Sequence, residues 1–279
     1  FKQKTAYEML RSLVGSEMCI RDRYLTCGVT MPSSIEFKIT SEPEGIINRH
    51  SGSLFHGLLM ENINRDYGEY LHEEGLKPYS QYLRFDRENK KYIWKISALN
   101  EEAEREILEP LKNLSDKKVI LSNRQAQITL EFIGQTPSFS YKELADRFFL
   151  EDSLKRRHVI HFYTPTTFKV NGRYVIFPPV TNIFGSLLDR WNQFFSLISL
   201  QDENIKEHLA QFTCLVGYKL QSTKYEMEGV KIPGFLGEIC LYIGGPDPLA
   251  RIALMLLNYA HYSGIGAKTS LGMGGVKVE

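Results

Sequence analysis

Cysteine is scarce, four residues in 279, and the four are scattered. Cys19, Cys27, Cys214 and Cys240 make no C-x-x-C pair, which excludes the common zinc spacings and offers no disulfide framework; a reducing cytoplasm is the expected compartment. Long apolar runs are missing too. The run at residues 252–257 falls far short of the roughly 18–20 residues of a membrane helix, so no membrane association is expected. Charge of one sign does not dominate either, with 34 Lys+Arg against 33 Asp+Glu. Residues 1–23 hold five of the bases and three of the acids, leaving 29 against 30 in the rest. So balanced a chain attracts a polyanion only where it gathers basic side chains locally. No acidic or Cys/His cluster reads as a metal site: in "HEEGL", Leu76 stands where H-E-x-x-H requires its second histidine. No metal or cofactor is expected.

Residues 1–23 resemble translated sequencing-adaptor read-through, a non-native leader, and are excluded from fold reasoning. The competing reading is an amphipathic helix, with Ala6, Met9, Leu10 and Leu13 at helical spacing. The rest suits two small domains. Residues 33–40 alternate as a strand, and a helical region capped by Ser51 or Ser53 runs to about Gly75. Two strands follow at 79–85 and 92–98, then a helix at 101–114 and a strand at 126–133. This strand–helix–strand–strand–helix–strand order is ferredoxin-like. A charged helical linker is predicted over 141–157. The same order returns from residue 158, beginning with a hairpin at Asn171-Gly172. A helix at 180–198, capped by Thr181 or Asn182, strands at 212–220 and 237–245, a helix at 247–264 and a strand at 273–279 complete it. The expected class is α+β: two tandem ferredoxin-like (RRM-like) domains, 24–140 and 158–279, with a glycine-rich loop before the last strand.

That loop, "HYSGIGAKTSLGMGGVKVE", invites comparison with the nucleotide P-loop, and fails it. Ala267 and Tyr262 occupy the two required glycine positions, and the loop runs from helix to strand, the reverse of a P-loop. Gly264, Gly266, Gly272 and Gly274 let the backbone approach a ligand closely, around Lys268, Thr269 and Ser270. A tight helix-to-strand connection would also use one or two glycines, but not five. At this place in a second ferredoxin-like domain the stretch resembles the signature of the RAMP superfamily, above all the CRISPR-associated endoribonucleases that process repeat RNA. "TPTTFKVNGRYVIFPPV", with Phe184, Leu187 and Trp191 beyond it, extends the resemblance. So does "GSLFHGLLMENINRDYGEYLHEEGLKPYSQYLRF" in the first half.

The resemblance implies metal-independent cleavage of repeat RNA. The upstream 2′-hydroxyl is the nucleophile, and the products carry a 2′,3′-cyclic phosphate (or 3′-phosphate) and a 5′-hydroxyl. Such chemistry needs a proton carrier and cationic or amide donors around the phosphorane. His72 matches the family's catalytic histidine, with Lys77 placed to stabilise developing charge. Where relatives carry a helical tyrosine this chain has Met60, and His56, one turn earlier, is the candidate general base; a half-buried histidine packed beside Phe55 is the alternative. The glycine loop, and a basic run at Lys155, Arg156 and Arg157, are candidate RNA contacts. The implied partners are CRISPR repeat RNA and an interference complex receiving the product; monomer and homodimer both stay open. The rival reading is a non-catalytic RNA-binding RAMP subunit of a CRISPR ribonucleoprotein.

Overall fold

The computed structural model describes residues 32–121, 126–136, 154–195, 200–202, 204–227 and 229–279, together with Glu143 and Phe148. The leader, and most of the predicted 141–157 linker, lie outside the described residues.

The first half opens with β1 (Ser33–Glu42), whose alternating side chains put Ile35, Phe37 and Ile39 on a buried face. Helices α1 (Gly52–Glu61) and α2 (Arg65–His72) follow. The single predicted helical region is thus two helices, because Asn64 caps a new start, its Oδ1 accepting from the amides of Asp66 (2.8 Å) and Tyr67 (3.4 Å). Then come β2 (Tyr79–Asp86), β3 (Lys91–Ala98) and α3 (Glu101–Ala103), which Asn100 caps. A π-helical turn (Glu104–Leu108) leads into α4 (Glu109–Lys112). The register slips just ahead of Pro110, which has no N–H to donate back into the helix. Two strands close this half, β4 (Lys118–Leu121) and β5 (Ala126–Thr136). The antiparallel sheet has the order β2-β3-β1-β5-β4. Without the extra edge strand β4 it is the ferredoxin-like order.

The second half starts at β6 (Arg157–Thr166), so Arg157 belongs to a strand rather than to a helical linker. A small hairpin, β7 (Phe168–Val170) and β8 (Arg173–Val175), turns at Asn171-Gly172 with φ of 48° and 76°. Next are α5 (Val180–Phe194) and α6 (Ile205–Gln211), strands β9 (Thr213–Met227) and β10 (Val230–Ile243), α7 (Asp247–Ser263) and β11 (Val276–Val278). Pro179, not Thr181 or Asn182, sits at the N-cap of α5. The sheet order is β11-β6-β10-β9, again ferredoxin-like.

Each sheet packs its helices over a separate core, the first around Trp94, Phe37 and Phe55, the second around Trp191, Phe184 and Leu256. Leu99, just after β3, belongs to the second core, and Ser80 on β2 donates to the carbonyl of Tyr262 at the end of α7. The halves therefore meet along β2, where the glycine loop lies. No helix among the described residues is long and apolar enough to cross a membrane.

Candidate active site

The glycine loop is anchored on its own domain by hydrogen bonds that use most of its backbone. Ala267 donates to the carbonyl of Thr167 (2.8 Å), Gly274 to that of Pro165 (3.1 Å), and Ile265 to that of Gly274 (2.9 Å). Gly266 (φ 88°) and Gly274 (φ 69°) both need the left-handed region. A Cβ on either would also drive into a carbonyl oxygen, that of Thr167 or of Ile265. Beneath the loop lies Arg190 of α5, 4 % exposed; its guanidinium donates to the carbonyls of Gly266 (2.7 Å) and Ser186 (3.0 Å), and burial pulls its pKa down. These glycines thus serve close packing. What the loop presents outward is Lys268 (φ 59°) and Ser270, both partly exposed. Thr269 departs from its expected role: its side chain turns inward against Gly264 and Gly274 and is 5 % exposed, so only its backbone faces a ligand. The amides of Thr269 and Ser270, which open the 3-10 turn Thr269–Leu271, have no partner among the described residues.

Three side chains tie this loop to α1. Gln81 on β2 donates from Nε2 to the carbonyls of Gly52 and Ser270, each at 3.0 Å, while its Oε1 accepts from Trp94 Nε1 at 2.6 Å. The Tyr225 hydroxyl on β9 donates to Leu271 O (2.7 Å) and meets the amides of Gly52 and Ser53. Gly52 and Gly272 pack against each other and that hydroxyl, leaving no room for a Cβ on either. Tyr79, 1 % exposed, lies between His56 and the loop: its hydroxyl is 2.9 Å from His56 Nδ1, and the Ser270 side chain is its other polar neighbour.

His56 is therefore anchored to β2 through Tyr79. Its ring stacks on Tyr79 with centroids 6.4 Å apart and planes 8° from parallel. Burial first, then the charges of His72 and Lys77, push its pKa down to about 4, so the ring is neutral at pH 7. That influence also shows that the three groups share one neighbourhood. His72 is the last residue of α2 and is exposed; Lys77 donates from Nζ to the Glu73 carbonyl. The fold thus brings the charges of His72 and Lys77 to bear on His56, which is itself held against Tyr79.

The basic run lies elsewhere. Arg156 is occupied within its domain, donating to the carbonyls of Ile243, Gly244 and Gly245 and pairing with Asp247 at the start of α7. Arg157 Nε sits 3.1 Å from Cys240 Sγ, and Lys155 is exposed. β6 separates this run from the loop, which contacts its far end at Pro165; ten residues at about 3.3 Å each put them on the order of 30 Å apart.

Sequence reading passed over Tyr79, Gln81, Arg190 and Tyr225. Gln81 did leave a signal, a polar residue in step with Tyr79 and Leu83 on the buried face of β2. Arg190 left another, falling one helical turn after Ser186 and beside the buried Leu187 and Trp191.

The chain is similar to known proteins over most of its length. The profile of the family described as CRISPR-associated endoribonuclease Cas6 matches residues 160–276. A CRISPR-associated endoribonuclease Cas6 from Streptococcus thermophilus is 32% identical over 225 residues, 81% of this chain and 90% of that protein. One from Mycobacterium tuberculosis is 30% identical over 230 residues, 82% of this chain and 71% of that protein. Among solved structures, a Cas6 product complex superposes with a TM-score of 0.70 at 22% identity, covering 89% of this chain and 99% of the other. Thermus thermophilus Cas6 does so with 0.66 at 21% identity, covering 90% and 99%. These two show a common fold, and the curated relatives show kinship: the chain belongs to the CRISPR-associated endoribonuclease Cas6 family.

Proposed function

We infer that this protein is a CRISPR repeat-RNA endoribonuclease acting in the cytoplasm, and that it cuts without a metal by attack of the 2′-hydroxyl on the adjacent phosphorus. His56, neutral at pH 7, accepts the 2′-hydroxyl proton. The P–O5′ bond breaks as the 2′-oxygen bonds to phosphorus, and His72 as imidazolium protonates the leaving 5′-oxygen. The Lys77 ammonium stands beside the charge that develops on the phosphorane. Lys268, the Ser270 hydroxyl and the amides of Thr269 and Ser270 seat a phosphate of the RNA, and the glycines hold that seat in shape. Lys155 and Arg157 meet the backbone farther along. Released RNA ends in a 2′,3′-cyclic phosphate on one side and a 5′-hydroxyl on the other.

The observation that supports this reading is the seating of His56 and the glycine loop on the same strand: Tyr79 meets His56 Nδ1 at 2.9 Å, and Gln81, two residues on, holds the Ser270 carbonyl at 3.0 Å. Its test is cleavage of an end-labelled cognate repeat in EDTA by the wild type and His72→Ala. The wild type is expected to cut, and His72→Ala to lose at least about 100-fold in rate with RNA affinity kept. Two proteins that bind the repeat while neither cuts it would mean a non-catalytic RNA-binding subunit. Equal cutting by both would remove His72 from the mechanism.

A further inference from the structure

A loop that runs from helix to strand holds its ligand at the wrong end of the helix for an anion. The glycine loop follows Gly264, the C-cap of the 17-residue helix α7, where the last carbonyls together carry roughly half a negative charge. A P-loop meets no such conflict, because its phosphates lie at a helix N-terminus. Lys268 offers one positive charge, but it is partly exposed, and water and salt screen it.

Arg190 answers the conflict. Its guanidinium is 4 % exposed and reaches the loop two residues past the C-cap, donating to Gly266 O at 2.7 Å and to Ser186 O at 3.0 Å. The next residue on α5, Trp191, packs edge-on against Tyr259 of α7 with ring centroids 5.1 Å apart, so α5 presents Arg190 beside the closing turns of α7. No carboxylate among the described residues forms an ion pair with Arg190, and Asp189 beside it is exposed. Burying a charge without a counter-ion is costly, and holding two carbonyls does not call for one. Gln81 does the same with a neutral amide, which donates to Gly52 O and Ser270 O. Residue 190 therefore carries a full positive charge that the clamp itself does not use.

We propose that Arg190 is the residue that makes this helix end an anion site: its charge outweighs the negative pole of α7 and draws an RNA phosphate onto the glycine loop from beneath, without touching it. Arg190 is a positioning residue that acts across the loop backbone. Solvent weakens the field of a buried guanidinium far less than that of an ammonium at the surface. The proposal rests on the reading of the loop as an RNA seat. It divides the work there: Arg190 supplies the attraction, while Lys268 and Ser270 supply the contacts.

The test uses the full chain and a set of repeat RNAs, each with one uncharged methylphosphonate linkage beside a 2′-deoxy residue. Each is compared in binding with the same 2′-deoxy RNA bearing an ordinary phosphate. The linkage whose neutralisation weakens binding to the wild type, and matters less in Lys268→Ala, marks the seated phosphate. At that linkage neutralisation is expected to cost the wild type about 10-fold in affinity, Arg190→Gln less than about threefold, and Arg190→Lys about as much as the wild type. Linkages elsewhere should cost all three proteins alike. Glutamine keeps a donor for Gly266 O, so a residue that serves only as a clamp would leave Arg190→Gln as sensitive as the wild type, and that result overturns the proposal. So does a folded Arg190→Lys that has lost the sensitivity, which decides the matter should Arg190→Gln not fold. Cleavage of the unmodified repeat is followed alongside. Wild-type cleavage with no dependence of the phosphate on Arg190 overturns the proposal and leaves the nuclease reading standing. Dependence on Arg190 in a wild type that never cleaves overturns the nuclease reading alone. A wild type indifferent to every neutral linkage removes the phosphate seat and the proposal together.

Discussion

Gln81 shows how much can hang on one side chain. Its amide satisfies Gly52 O, Ser270 O and Trp94 Nε1 together, at a residue 1 % exposed. Replacing it by leucine fills the same space but leaves the indole N–H buried without an acceptor and both carbonyls without a donor. Each such group costs roughly 1–3 kcal/mol when nothing replaces its partner. Gln81→Leu is therefore expected to lose about 2–3 kcal/mol by urea unfolding, and to cut repeat RNA more slowly in proportion to the loosened Ser270. An unchanged unfolding midpoint would mean that the bridge contributes nothing. At this scale the sequence was informative only where chemistry and motif coincided. His72 and Lys77 stand in a recognisable stretch, and His56 was a candidate through helical spacing. The partner of His56 was not legible, because the phenol at residue 79 lies on a separate strand and meets the ring only once α1 has packed on β2.

The glycine loop holds its shape through steric fit at the scale of the element. Gly274 combines a left-handed backbone with a Cβ direction blocked by the Ile265 carbonyl, so substitution meets both conformational strain and a backbone collision. Gly274→Ala is expected to destabilise the protein by about 3 kcal/mol or more, seen as a lower Tm, and to weaken RNA binding at temperatures where the protein is still folded. Gly57 has open space in its Cβ direction and is the control: Gly57→Ala should leave Tm unchanged or raise it, since alanine favours helix. A loss of RNA binding in Gly274→Ala equal to that in Gly57→Ala would sever the loop from RNA. Most elements were legible here from alternation, caps and turns. The exceptions have physical causes. β4 is four residues long with an uneven pattern, α6 is two turns with two buried residues, and the α5 cap is a proline, chosen for its fixed backbone rather than for a side-chain hydrogen bond.

Across the whole molecule, acid is expected to act against folding through histidines held neutral. Burial is the largest cause lowering the pKa of His50, His56 and His158, and His56 comes down from 6.5 to about 4. The unfolded chain gives each of these rings an ordinary affinity for protons, so between those two values it binds more protons than the native state. Stability must therefore fall as pH drops from about 6.5 toward 4, and the contribution of His56 levels off once both states are protonated. The ring is partly open to solvent, which reduces the effect to on the order of 1–2 kcal/mol. Urea unfolding of the wild type and His56→Gln at about pH 7.5 and pH 4.5 measures it directly. Glutamine cannot titrate, so the variant should lose less stability between the two conditions than the wild type does. Carboxylates contribute equally to both proteins and cancel in the difference. Parallel losses would show that His56 is not held neutral by the fold, and would also remove the neutral base from the cleavage mechanism. The same burial that makes His56 a liability in acid is what keeps its lone pair available at pH 7, so stability and catalysis are tied through one residue at the junction of the two sheets.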